Sequence, residues 1–378
     1  LEKHGLKSNN IDPKSRLYNF LKTYPEISLA TNEDNISILD FFLSAQMSTK
    51  DSDLVYDRSP DFFALNRLRG PGSFTLVSKV KGVVTGIATI SLREGLFKGE
   101  IQTVGYLSDF RIGFDRRALR LWRKAYGDLL RTLKTNFQCK HLLTAIIDDN
   151  KLARKVLAGK HKTFEYREIA RYKMVNIALK WRPRLRRPRS AENPHQVSLY
   201  GGRDPEQLLN FLTTTYRTTD FAPSPSEIQR RLQTWSGFKL ESFVVATDSS
   251  GKIVGCFLPW RPQTEKQMWL TSVPFHYKFC SLFPRAKEPI HLQYLTHRCF
   301  SATENQDAVF ASMLDWYWQN SEDKGHGLSL YEFDNQRISP LLKNYLTVSV
   351  PMRLYTVQEP GDQILCSHSN PYFDMALV

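Results

Sequence analysis

Two periods of hydrophobic and polar positions alternate along this chain, and they meet between residues 105 and 134. GYLSDFRI reads as an apolar strand ending at Ile112, and a short charged turn follows over 113–117. Apolar residues then recur at 118, 119, 122, 125, 126, 129, 130 and 133, which is one stripe of a helix. Upstream, the pattern predicts a short helix over 14–22, a strand and turn in EISLATNED, and helices over 36–46 and 60–69, the last opened by Ser59-Pro60. After the Gly70-Pro71-Gly72 break, SFTLVSKV and VVTGIATISL read as strands joined at Lys81-Gly82. Downstream come a strand at HLLTAII, a short helix at KLARKVLAG and a long strand at FEYREIARYKMVNIAL.

KWRPRLRRPRSAENP (180–194), with three prolines and six basic residues, reads as a linker. Beyond it the order begins again. Ile27-Ser28-Leu29 matches Val197-Ser198-Leu199 at a separation of 170, and Ser59-Pro60 matches Ser224-Pro225 at 165. Ser73-Phe74 and Gly86 match Ser242-Phe243 and Gly255 at 169. Tyr106-Leu107 matches Tyr294-Leu295 at 188, and Asp149-Asn150 matches Asp334-Asn335 at 185. The jump of 19 between 169 and 188 marks an insertion, RPQTEKQMWLTSVPFHYKFCSLFPRAKE, in the second copy. The predicted architecture is α/β (α+β): two domains, 1–180 and 196–378, joined by a basic linker at 181–195. Each is expected to carry its own mixed, partly antiparallel central sheet flanked by helices.

The length of 378 residues suits two domains of ordinary size, and 41% hydrophobic with 12% aromatic residues suits packed cores. No run of eighteen apolar residues exists and LEKHGLKSNN has no apolar stretch of a signal peptide, so a cytoplasmic protein without a membrane span is expected. Five scattered cysteines suggest free thiols and no metal site. A net charge of +14 and a pI near 9.5 point to an anionic partner: nucleic acid, a membrane surface or a phosphorylated cofactor. Nucleic acid is possible through the basic surface but not favoured.

The repeated unit of strand, two helices, antiparallel strands and then strand-helix-strand-helix-strand resembles the GNAT superfamily of acyl-CoA-dependent N-acyltransferases in tandem. YLSDFRI before a basic turn and long helix is similar to the family's central strand entering its pyrophosphate loop. Asp148-Asp149-Asn150 before a short helix resembles its fifth strand and next helix, where an asparagine helps hold the pantetheine arm or substrate. The resemblance implies acyl-CoA, most simply acetyl-CoA, as cosubstrate, bound by Arg111, Ile112, Arg116, Arg117, Ala118 and Asn150. Asp115 is the expected N-cap there, and the helix start with Arg116, Arg117 and Arg120 is attractive to an anion.

The family's loop has small residues where Arg120 and Trp122 stand, and the second copy's HRCFSATENQDA has no glycine. The family's tyrosine general acid is replaced by Val156 and Leu157 in one copy and by Leu341 and Leu342 in the other, with Tyr345 a little further on.

Acyl transfer to an amine needs a base, a polarised carbonyl and a protonated leaving thiolate. Asp109 on the central strand of the first copy and His297 on that of the second are candidate bases, with Glu332 and Asp334, beside Asn335, as further candidates. Residues 310, 313, 314 and 317 form a helix stripe and read as core, together with Trp316 and Trp318.

The expected function is N-acyl transfer from acyl-CoA to a primary amine, with the first copy holding the cofactor. The alternatives are a non-catalytic binding or regulatory protein of the same fold, and a transfer-RNA-dependent aminoacyl transferase.

Overall fold

The computed structural model describes residues 12–44, 54–113, 115–158, 161–178, 195–262, 265–270, 289–321, 327–343, 345–362 and 371–378. The linker expected at 181–195 lies, His195 apart, outside them.

In the first half, helices α1 (Pro13–Arg16) and α2 (Tyr18–Thr23) precede edge strand β1 (Ile27–Leu29), α3 (Asn35–Ser44), β2 (Leu54–Asp57) and α4 (Ala64–Arg69). The last helix starts later than expected. Asn35 donates to Pro60 O (2.8 Å) and accepts from Phe62 N (2.9 Å), which ties the preceding segment into a turn.

Strands β3 (Phe74–Val80) and β4 (Val83–Phe97) join at Lys81-Gly82, whose φ angles of 51° and 81° suit a tight hairpin. β4 continues past Leu92 and turns at Lys98-Gly99 into β5 (Glu100–Ile112), forming a second hairpin arm that the charged REG and KGE segments masked. Helix α5 (Arg116–Asn136), β6 (His141–Ile147), α6 (Lys151–Leu157) and β7 (Glu165–Ala178) complete this half.

The second half repeats the order: β8 (Gln196–Leu199), α7 (Pro205–Tyr216), α8 (Pro225–Thr234), β9 (Val244–Thr247), β10 (Ile253–Trp260), β11 (Gln267–Leu270), β12 (Leu292–Phe300), α9 (Gln306–Asn320), β13 (Gly327–Phe333) and β14 (Thr347–Gln358). Here Ser224 caps α8, accepting from Glu227 N, with Pro225 at the first helical position. On α9, Phe310, Met313, Leu314 and Tyr317 are buried as the periodicity requires.

Gly86 and Gly255 show why the repeat tolerates only glycine at that place. A Cβ on Gly86 would lie 2.3 Å from Trp122 Nε1 of α5, and one on Gly255 would lie 2.7 Å from Val309 Cγ1 of α9. Both bring a helix hard onto the sheet.

The expectation of two separate sheets is corrected by the topology. One twelve-stranded sheet runs β1-β3-β4-β5-β6-β14-β7-β13-β12-β10-β9-β8. The last strands of the halves are exchanged: β14 pairs with β6 from Met352 to Val357, while β7 pairs with β13 from Tyr172 to Ala178. The exchanged strands then pair with each other along Thr347–Gln358. The exchange leaves no free edge at the centre of the sheet.

β11, from the inserted segment, pairs with β2 of the first half, and Leu96 of the long hairpin arm donates to Ala222 O (2.8 Å). Residues 371–378 run through the junction, where Tyr372, Phe373, Met375 and Leu377 join a core that contains Leu65, Leu68 and Tyr172 of the first half. No helix among the described residues is long and apolar enough to cross a membrane.

Candidate active site

In each half two parallel strands part company. β5 is in register with β6 only over 104–106 against 141–143, and β12 with β13 only over 292–294 against 327–329. Pairing therefore stops at Tyr106 and at Tyr294, the repeated tyrosines. Each strand then carries a bulge on its other edge. Asp109 and Phe110 face the single residue Ala88, because Ile87 pairs with Arg111 and Thr89 with Ser108. His297 and Arg298 face Phe257, because Cys256 pairs with Cys299 and Leu258 with Thr296. A bulge beside a parting of strands re-aims backbone and side chains toward the gap.

The anion corner at the start of α5 is partly as expected. Asp115 is its N-cap, but its carboxylate accepts from the N–H groups of Arg117 (2.6 Å) and Ala118 (3.0 Å). The first-turn N–H groups of Arg117 and Ala118 are thus occupied by the protein's own carboxylate. The side chains of Arg116, Arg117 and Arg120 are exposed at the corner.

Arg111 turns inward instead. Its Nη1 donates to Phe42 O (2.6 Å), its guanidinium lies 3.6 Å from the Phe42 ring centroid, and burial lowers its pKa to about 10 against the opposing pull of Asp109. Ile112 pairs with Gly86. Asn150 caps α6, accepting from Ala153 N (3.0 Å), so its side-chain oxygen is committed locally. Trp122, which stands where the family has a small residue, is fully buried and donates to Ser78 Oγ (2.9 Å) on the β3–β4 hairpin.

Asp109 sits in an ion cluster that no local motif announced. Arg58 Nη2 donates to both of its oxygens (2.8 and 2.9 Å) and Arg69 Nη1 to one (3.1 Å), while Arg58 Nη1 also reaches Asn66. Burial opposes ionisation, but Arg58 and Arg69 outweigh it and hold the carboxyl far below the usual range. A carboxylate this acidic and this fully paired is a poor proton acceptor.

Sequence reasoning also missed Lys266, which sits beside this cluster. Its Nζ donates to Val378 O (2.7 Å), as Arg69 Nε donates to Leu377 O (2.7 Å), and it lies 4.9 Å from the Tyr294 ring centroid. Burial, reinforced by Arg69 and Arg58, lowers its pKa to about 7. It is thus an amine that can accept a proton near neutral pH.

His297 is buried among the rings of Phe238, Trp235, Tyr216 and Tyr372, with Arg231 Nη1 3.4 Å from its Nε2. Burial first and Arg231 second push its pKa well below the ordinary value, so it is neutral and a weak base. Arg231 itself makes a two-pronged pair with Asp374 (2.7 and 2.8 Å) and a bond to Glu227 (2.9 Å).

Glu332 accepts from the N–H groups of Ile338 (3.1 Å) and Ser339 (2.6 Å) and so caps the turn that follows β13. Asp109, His297 and Glu332 are thus each held by a different set of partners. Tyr345 donates to Asp315 (2.7 Å).

No protein-family model matches the sequence, and no curated protein matches it. Solved structures do. A tandem GNAT protein from the clavulanic acid biosynthesis pathway aligns over 90% of this chain and 99% of its own, with a TM-score of 0.53 at 10% identity. The GCN5-related glucosamine N-acetyltransferase region of a fungal multi-domain GH3 β-N-acetylglucosaminidase aligns over 87% of this chain and 38% of its own, with a TM-score of 0.55 at 11% identity. N-myristoyltransferase of Saccharomyces cerevisiae, solved with bound myristoyl-CoA, aligns over 88% of this chain and 79% of its own, with a TM-score of 0.53 at 9% identity. At these identities the likeness speaks for the fold. The chain is a two-domain protein of tandem GNAT fold.

Proposed function

We propose that this chain is an acyl-CoA-dependent N-acyltransferase whose first half takes the donor, most simply acetyl-CoA, and passes the acyl group to a primary amine. The observation that carries the reading is the parting of β5 from β6 after Tyr106, beside the Asp109 bulge and beneath the exposed arginines of α5. A pantetheine arm fits between strands that have stopped pairing, where freed backbone groups polarise a thioester carbonyl.

The phosphates would be met by the side chains of Arg116, Arg117 and Arg120, since Asp115 holds the first-turn N–H groups. The amine's nitrogen forms the new bond to the acyl carbon as the carbon–sulfur bond breaks, and CoA leaves with that bond's electron pair as a thiolate that takes its proton from water. With Asp109 and Glu332 committed to other partners and His297 made a weak base by burial, Lys266 is the group suited to receive the amine's proton.

The second half lacks the basic corner. Its helix α9 follows Glu304, which pairs with His195 (3.6 Å), and begins with Gln306-Asp307. Like charges a few ångströms apart repel by roughly 1–4 kcal/mol between aqueous and partly buried surroundings. One donor per chain follows.

The non-catalytic alternative draws on the local commitment of Asp115 and Asn150. Calorimetry with acetyl-CoA separates the two. One equivalent should bind, and Arg116→Ala with Arg117→Ala should weaken binding by roughly tenfold or more, each charge-assisted contact being worth about 1.5–3 kcal/mol. An absence of binding favours the alternative, and two equivalents refute the assignment to the first half. Where the donor binds, thiol release with an amine acceptor should be lost in Lys266→Met while binding persists.

A further inference from the structure

We infer that the corner formed by the starts of α5 and α6 is a docking face for an anionic phospholipid bilayer, a property beyond acyl transfer that shares Arg116 and Arg120 with the proposed donor-phosphate site. The two helices follow neighbouring parallel strands, β5 and β6, so they begin at the same edge of the sheet. They also cover the same face, because Trp122 and Tyr126 of α5 share one core with Ala153 and Leu157 of α6.

Three of the nine exposed large hydrophobic residues among those described fall on these two helices. Leu119 is 46% exposed, Leu152 72% and Val156 52%. The stripe of α5 placed Leu119 in the core by periodicity, yet it faces outward. Leu152 and Val156 are one turn apart on α6, beside the inward pair Ala153 and Leu157.

Cations surround these side chains. Arg116, Arg120 and Arg123 flank Leu119 on α5, and Lys151 and Lys155 flank the pair on α6, all of them exposed. Of the nearby acids, Asp115 caps α5 and Asp148 is paired with Arg154 (2.8 Å) and Arg353 (2.5 Å), which leaves the exposed Asp149 against five exposed cations. The corner is therefore positive as well as greasy, in a chain of net charge +14.

Aliphatic side chains ringed by Arg and Lys are what settles at the boundary of headgroups and acyl chains on an anionic leaflet. A nucleic-acid partner would use the cations but leave the aliphatic residues without purpose, since bases stack on aromatic rings.

The test uses the full chain in sedimentation with phosphatidylcholine vesicles, pure or with about 30% phosphatidylserine, at low and high salt. Binding to the anionic vesicles alone, weakened by salt, is expected. Leu152→Ser with Val156→Ser, and separately Lys151→Glu with Lys155→Glu, should each lower affinity by roughly tenfold, with unchanged circular dichroism because all four side chains are exposed. Leu119→Ser serves the same purpose on α5. No binding to anionic vesicles, or binding that the serine variants leave intact, overturns the inference. So does a result in which only charge reversal matters and transfer RNA competes for the face, which would make it a nucleic-acid surface.

Discussion

Asp109 and His297 occupy the same place in the two halves, 188 residues apart, and both hold the left-handed backbone conformation, with φ of 54° and 52°. Each is the first of two bulged residues that face a single residue on the neighbouring strand. Neither is glycine, so the strained geometry is held by the side chain's surroundings. In both cases a buried arginine of the preceding helix supports it: Arg69 of α4 at Asp109, and Arg231 of α8 at His297. The backbone device is shared between the halves, but the chemistry placed on it differs.

Asp109→Asn tests whether that aspartate is structural. The change leaves Arg58 and Arg69 buried without a counter-charge, and breaking a buried pair in this way costs about 3–5 kcal/mol. Urea unfolding should show a loss of this size. A variant of native stability that lacks only activity would restore Asp109 as a catalytic base.

Stability should fall with pH in two windows. Free histidine has a pKa of 6.5, whereas burial lowers His141 to about 4 and also pushes His297 well below the free value. The unfolded chain therefore binds protons below pH 6.5 that the folded chain refuses, and stability drops as pH falls from there to about 4, by about 3 kcal/mol for His141. Asp109 and Asp374 have pKa values depressed from 3.8, so the stability they lend is present above that value and is lost as pH falls below it. Urea midpoints measured against pH should flatten in the upper window in His141→Phe with His297→Phe, and stay unchanged in the lower one.

Gly86→Ala should destabilise by about 1–3 kcal/mol, since its Cβ meets the Trp122 indole at 2.3 Å. Trp122→Phe frees part of that space. In a double-mutant cycle read by thermal melts, the pair should cost less than the sum of the singles. Strict additivity would mean that the helix does not rest on this glycine.

Neither half should fold alone. A fragment ending at residue 178 lacks β14, which fills the gap between β6 and β7 along Thr347–Gln358. Circular dichroism and gel filtration should find each fragment unfolded or aggregated, and co-expression should recover a soluble pair. A soluble, cooperatively unfolding first-half fragment would show that the exchange is dispensable.

Sequence alone determined what depends on near neighbours. The separations of 169 and 188 recur in the structure as matched registers, Ile87 and Thr89 with Cys256 and Leu258, and Asp109 with His297. The Lys81-Gly82 turn, the Asp115 cap and the buried face of α9 were equally legible, because period and turn chemistry act within a few residues.

Tertiary structure alone decided the partners. Nothing in TVSVPMRLYTVQ tells a strand that its neighbours are β6 and β7 instead of β13, because ladder hydrogen bonds are the same whichever backbone supplies them. The ion cluster is likewise long-range. Arg58 and Arg69 lie 51 and 40 residues from Asp109, and Lys266 reaches the same junction from the second half. A polar residue in an apolar strand announces that its charge must be met. Which side chain meets it, and so whether that residue is a base or a brace, depends on the packing of segments far apart in the chain.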